Sequence, residues 1–145
     1  MNHSTHHPLR KRLVEQLVFL DENRFELQDM YAATVPPLDR DQQFFTKYAA
    51  TVERFLSTFD PLEHASPTHV LIGSQVSIFY EEDFMTDDFT ICLPEQSDPD
   101  KGYISFMSPV GRQLLLREKD EKVVLLTPNG AIHAVVKSIG FNYSL

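Results

Sequence analysis

Apolar positions follow two different periods along the chain. Between Pro8 and residue 33, Leu13, Leu17, Leu20, Leu27 and Tyr31 recur at steps of four, three, seven and four, a heptad seam interrupted at Arg24. The spacing predicts one long helix with Pro8 in its first turn, extending about 39 Å at 1.5 Å per residue. TVPPLDR then breaks the pattern, and a second helix carries Phe45, Tyr48, Val52, Phe55 and Phe59. Two seams joined by a short loop predict an antiparallel helical hairpin of the coiled-coil kind. Phe44 and Leu56 widen the second seam, so its aromatic face has two uses open to it: packing within the hairpin, or holding a partner or a second copy in a homodimer.

DPLEHASPTH, residues 60–69, carries two prolines and little periodicity, and marks the boundary between a helical hairpin (1–64) and a second domain (65–145). Beyond it the period becomes two. Val76, Ile78 and Tyr80 alternate, as do Phe89, Ile91 and Leu93, and then Ile104 and Phe106. A short helix interrupts the strands at SPVGRQLL. Ser108 can accept a hydrogen bond from an orphan amide of its first turn, Pro109 suits the first helical position, and Val110, Leu114 and Leu115 form one apolar stripe. KVVLLT and AIHAVVKSIGF follow, joined by a turn whose Asn129-Gly130 pair tolerates positive φ. The expectation is an antiparallel sheet of about five strands with one helix after the third, making the whole chain α+β.

Composition narrows the class. With 145 residues, 42% hydrophobic, the chain can bury one ordinary core plus an appendage. A net charge of −8, spread rather than gathered, argues against unaided binding to nucleic-acid phosphates and against direct specific DNA binding. A single cysteine, Cys92, excludes a disulfide framework and a Cys-rich zinc site. No apolar run approaches the roughly 20 residues that span a bilayer, and LVEQLVFLDENRFEL meets charge too early for a secretory leader, so the expected location is the cytoplasm. His3, His6 and His7 read as a disordered leader rather than a metal cluster, since no carboxylate or cysteine nearby completes a site.

The order of the later motifs is more specific than any one of them. QVSIFYEED, then EQSDPDKGYISFMSPVGRQLL, then KVVLLTPNGAIHAVVKSIGF closely resembles the C-terminal domain of the bacterial transcript cleavage factors GreA and GreB. The shared elements are Asp98-Pro99, Gly102, Ile104-Ser105, Ser108-Pro109 with Arg112, Val123-Val124, and Thr127-Pro128 with Gly130, over roughly residues 73–141. The resemblance implies an FKBP-like domain that docks on bacterial RNA polymerase at the rim of its secondary channel, with the hairpin pointing down the channel. It also implies that Met107, Ser108 and Pro109, with Arg112, belong to the docking surface. In the family an acidic pair at the hairpin tip helps hold a second magnesium ion, so that polymerase cleaves its own backtracked RNA. Oxygen ligands suit that ion, which can activate the attacking water.

This tip departs from the family pattern. It lacks the D-x-x-E arrangement and offers only Asp39 and Asp41, which either share a magnesium ion with the polymerase or, through Asp39 and Gln42, cap the second helix. The hairpin is also shorter than in Gre factors, between theirs and that of Rnk, a relative with a short hairpin and no acidic pair. The expected function is therefore a regulator that binds RNA polymerase at the secondary channel and modulates elongation without stimulating cleavage, with no catalytic activity or cofactor of its own. The rival is an FKBP-like peptide-binding or prolyl isomerase module, although a shared fold does not confer that activity.

The remaining candidates are weaker. Glu81, Glu82, Asp83, Asp87 and Asp88 around Phe84 and Met85 read as a solvated strand-connecting turn, lacking the spacing and glycine of an EF-hand. Cys92 has no arrangement that makes it a nucleophile, and His133 reads as a packed or surface strand residue.

Overall fold

The computed structural model describes residues 7–34, 44–60 and 67–145. It divides into two compact units, Met1–Ser66 and Pro67–Leu145.

The first unit contains α1 (Pro8–Glu22), α2 (Arg24–Thr34) and α3 (Phe44–Ser57). The single long helix expected from the seam is divided at Asn23, which leaves the helical well at φ −111° and ψ 20°. Its backbone N–H bonds the Phe19 carbonyl, and its side-chain amide donates to the same oxygen at 2.9 Å. An asparagine that supplies its own local hydrogen bond competes with the helix ladder, which accounts for the interruption next to Arg24. At the other end of α1, His7 Nδ1 accepts from the Leu9 amide at 3.2 Å while Pro8 takes the first helical position. The His7 ring also meets Phe59 edge-on at 5.1 Å. His7 is thus part of the fold rather than of a leader; His3 and His6 lie outside the described residues.

Helix α3 packs antiparallel to the other two, because its contacts descend it as they ascend them. Tyr31 stacks on Phe44, the Tyr48 hydroxyl donates to Gln16 Oε1, and Arg10 Nη1 donates to the Leu56 carbonyl at 3.2 Å. Phe44, Tyr48, Val52 and Phe55 are buried, facing Leu9, Leu13, Leu20, Leu27 and Tyr31, whereas Leu17 and Phe45 are only half-buried. The aromatic seam therefore starts at Phe44, and its buried side packs inside the unit. TVPPLDRDQQ, with Asp39 and Asp41, lies outside the described residues apart from its first threonine.

The second unit is β1 (Ser74–Tyr80), β2 (Met85–Cys92), β3 (Tyr103–Ser105), α4 (Pro109–Leu114), β4 (Lys122–Thr127) and β5 (Gly130–Phe141), in the sheet order β3-β2-β1-β5-β4. Alternation holds in β1 and β4, where Val76, Ile78, Val123 and Leu125 are buried, but in β2 Thr90, Ile91 and Cys92 are buried in succession while Phe89 and Leu93 are half-buried. The sheet is mixed rather than wholly antiparallel, because β3 runs parallel to β2 with Ile91 beside Ile104. Two 3-10 turns, Pro94–Gln96 and Pro99–Lys101, carry the chain back between these strands. Asp98 caps the second through its side chain, and Gly102 closes it at φ 74°. Periodicity reports which face a side chain occupies, not the direction of the neighbouring strand.

Candidate functional site

Strand β3 ends at Ser105, and the chain must enter α4 by Pro109. Two serines make the turn. The Ser108 N–H bonds the Ser105 carbonyl at 2.9 Å, Ser108 Oγ donates to that oxygen at 2.7 Å, and the Gly111 amide donates back to Ser108 Oγ at 3.1 Å. Ser105 Oγ accepts from the Met107 amide at 3.0 Å. Ser108 is thus the N-cap and Pro109 occupies the first helical position, as the sequence implies.

Gly111 is what lets the helix start so close to the strand. A Cβ there would lie 2.2 Å from the Ser105 carbonyl oxygen and 2.9 Å from Ser108 Oγ. Sequence reasoning passed over this glycine, although Ser105, Ser108 and Gly111 follow each other at a constant three-residue interval that signals one shared knot. Gln113 was also missed. It is buried, and its amide donates to the carbonyls of Leu126 at 3.0 Å and Pro109 at 2.9 Å while accepting from the Leu126 N–H at 2.7 Å. Farther on, Arg117 Nε donates to the Gln113 carbonyl at 3.0 Å and its guanidinium pairs with Glu121 at 2.6 Å. On the other side, the Phe106 N–H bonds the Cys92 carbonyl at 2.8 Å, tying the turn to β2.

The predicted site residues separate by exposure. Pro109 is exposed and Ser108 half-buried, but Met107 and Arg112 are each only 3% exposed. The expected open Met107-Ser108-Pro109 edge is therefore reduced to Ser108 and Pro109. Strand alternation stops at Ser105, so Phe106 and Met107 can both turn inward, and the single short helical turn buries Arg112 beside Gly111. Asp39 and Asp41 lie outside the described residues.

Nothing at the turn is equipped for bond-making chemistry. Cys92 is fully buried, and burial pushes its thiol up to about 11. Burial, with the Asp87 carboxylate beside it, pushes the Tyr80 hydroxyl up to about 12. His133 is exposed on β5, and of the acids around the β1–β2 turn all but Glu81 are exposed. Among the described residues there is no group of three or more His, Cys, Asp or Glu side chains that could hold a metal ion, and no helix is long and apolar enough to cross a membrane. What the turn presents is a hydrogen-bonded edge with Pro109 exposed at its tip.

The family described as "Transcription elongation factor, GreA/GreB, C-term" matches residues 65–141, more than half the chain, and the chain belongs to the GreA/GreB family. It is 34% identical over 83 residues to the transcription elongation factor GreA of Desulfovibrio desulfuricans, covering 57% of this chain and 51% of that protein. It is 36% identical over 105 residues to GreA of Chlorobium phaeovibrioides, covering 69% of this chain and 65% of that one. The chain thus spans about half to two-thirds of the length of these relatives. Among solved structures, the GreA/GreB factor of Nitrosomonas europaea shares the fold with a TM-score of 0.52 at 22% identity, covering 80% of this chain and 90% of that one. These matches give no support to a prolyl isomerase.

Proposed function

We propose that this protein binds bacterial RNA polymerase at the rim of the secondary channel and modulates elongation without stimulating transcript cleavage. In this reading the second unit is an FKBP-like docking domain, and the first is a helical hairpin of the coiled-coil kind that enters the channel. The observation that carries it is the family match over residues 65–141 together with the knotted turn that presents Pro109 at the surface. Pro109 and Ser108 form the contact, while Met107 and Arg112 hold the turn from behind.

The reading that cleavage is not stimulated rests on the tip, where Asp39 and Asp41 stand two residues apart in place of the D-x-x-E pattern. The location that goes with polymerase binding is the cytoplasm.

Purified core polymerase, tested by pull-down and then by cleavage of a stalled, backtracked complex, decides the matter. The expected result is binding with no magnesium-dependent shortening of the transcript beyond the polymerase's own rate. Absence of binding overturns the proposal; binding with accelerated cleavage that is lost on replacing Asp39 and Asp41 by Asn assigns the tip as a metal site and overturns the modulator.

A further inference from the structure

The first unit contains a cleft that the packing of its seams leaves open. The buried seam of α3 runs through Phe44, Tyr48, Val52 and Phe55, and beside it Phe45, Ala49 and Glu53 recur at four-residue steps along an adjacent line of the same helix. Phe45 is large and held in place, since its ring meets those of Phe44 at 5.0 Å and Tyr31 at 5.8 Å edge-on. One turn later the side chain shrinks to Ala49, with Ala50 next to it, and the helix on the other side is interrupted at Asn23. Two methyl groups near such a break leave space that larger seam residues fill elsewhere. What remains is a cleft of about 450 Å³, lined by Leu17 and Leu20 from α1 and by Phe45, Ala49 and Ala50 from α3. Small-molecule sites between packed helices are of this size.

Three charged side chains share the cleft: Asp21 before the break, Arg24 after it, and Glu53 from α3. All three are exposed, and none has an ion pair or a side-chain hydrogen bond among the described residues. Two carboxylates against one guanidinium leave a net negative charge beside an apolar lining. Such a site attracts an ammonium and repels a carboxylate or phosphate, while the lining takes up a hydrocarbon body. The net charge of −8 on the whole chain acts in the same direction.

We infer that this cleft binds a small organic cation, an amine with an aryl or alkyl body, its apolar part against Leu17, Leu20 and Phe45 and its ammonium toward Asp21 and Glu53. The inference does not depend on polymerase binding, because every lining residue belongs to the first unit and the Ser108–Pro109 turn to the second.

Three probes that share one body and differ in head group test it: phenethylamine, phenethyl alcohol and hydrocinnamate, each titrated into the full chain and followed by backbone amide chemical shifts. The amine should bind with a dissociation constant on the order of 1 mM, with shifts concentrated at residues 17–24 and 45–53. It should bind about two- to fivefold more tightly than the alcohol, and the carboxylate more weakly than either. Glu53→Gln should weaken the amine by about the same factor without changing the alcohol, and Arg24→Gln should strengthen the amine. Ala50→Leu fills the cleft with a good helix former and should abolish binding of all three probes. Glu53 and Arg24 are exposed, so their variants keep the test decisive whether or not Ala50→Leu folds. No saturable binding, equal affinity for the three head groups, preference for the carboxylate, an amine that binds Glu53→Gln as tightly as the parent, or a folded Ala50→Leu variant that still binds would each overturn the site.

Discussion

Gln113 takes the place of a missing strand at the edge of the sheet: its side-chain amide accepts from the N–H of Leu126 and donates to the carbonyl of the same residue. β4 is an outermost strand, and an open edge invites pairing with other chains. One side chain therefore closes the edge locally and anchors α4 to it.

Replacing Gln113 by Leu keeps the volume but strips both Leu126 groups of their partners. Losing these two part-buried hydrogen bonds costs about 2 kcal/mol. Urea denaturation should show a loss of that size, and hydrogen exchange at the Leu126 amide should accelerate more than at Leu125. Equal exchange at the two positions would show that Gln113 does not hold the edge.

Gly111→Ala forces a methyl group against the Ser105 carbonyl and the Ser108 hydroxyl. Because the first obstacle is backbone, the turn must open, and the expected destabilisation is about 3 kcal/mol. Thermal denaturation followed by circular dichroism measures it. A variant as stable as the parent would mean that α4 can slide away from β3 freely.

Cys92 couples stability to alkaline pH. In the unfolded chain the thiol ionises near 9.0, whereas the folded protein holds the proton until about 11. Across that window the folded state binds more protons, so stability falls as pH rises, and below 9.0 the contribution is fully present. Tyr80, pushed from 10.0 to about 12, extends the fall. Cys92→Ala should flatten the slope between pH 9 and 10 in urea titrations, and the native thiol should react with a maleimide at pH 8 only after denaturant is added. Rapid labelling of the folded protein would contradict this.

Pro109→Glu tests the proposed contact without disturbing the fold, since an acid is welcome in the first turn of a helix. The thermal midpoint should stay within a few degrees of the parent while polymerase affinity falls about tenfold, the scale of losing one interface anchor. Unchanged affinity would move the contact away from this turn.

Strand β1 was legible because alternation at Val76 and Ile78 reports burial directly, and the cap at Ser108 because its chemistry is local. Other features depend on contacts distant in sequence. Gly111 is required by the carbonyl of a residue on another element, and Gln113 by an edge strand that follows it. Gln16 looks like a surface residue until Tyr48 is placed opposite, and His7 looks like leader until Phe59 stands beside it. Met107 was misjudged for the same reason: a strand that stops at Ser105 no longer obliges its successors to alternate. The tip acids Asp39 and Asp41 are known only from the sequence.

The parallel pairing of β2 with β3 separates two jobs that a hairpin would have fused. In a hairpin, loop length fixes the register of the strands it joins. Here the position of the serine-proline turn is set by Ile91 beside Ile104 and by the Phe106 amide on the Cys92 carbonyl. The crossover between Leu93 and Gly102 is thereby released from that duty, and its exposed Glu95 and Asp100 can be recharged while Pro109 stays where it is.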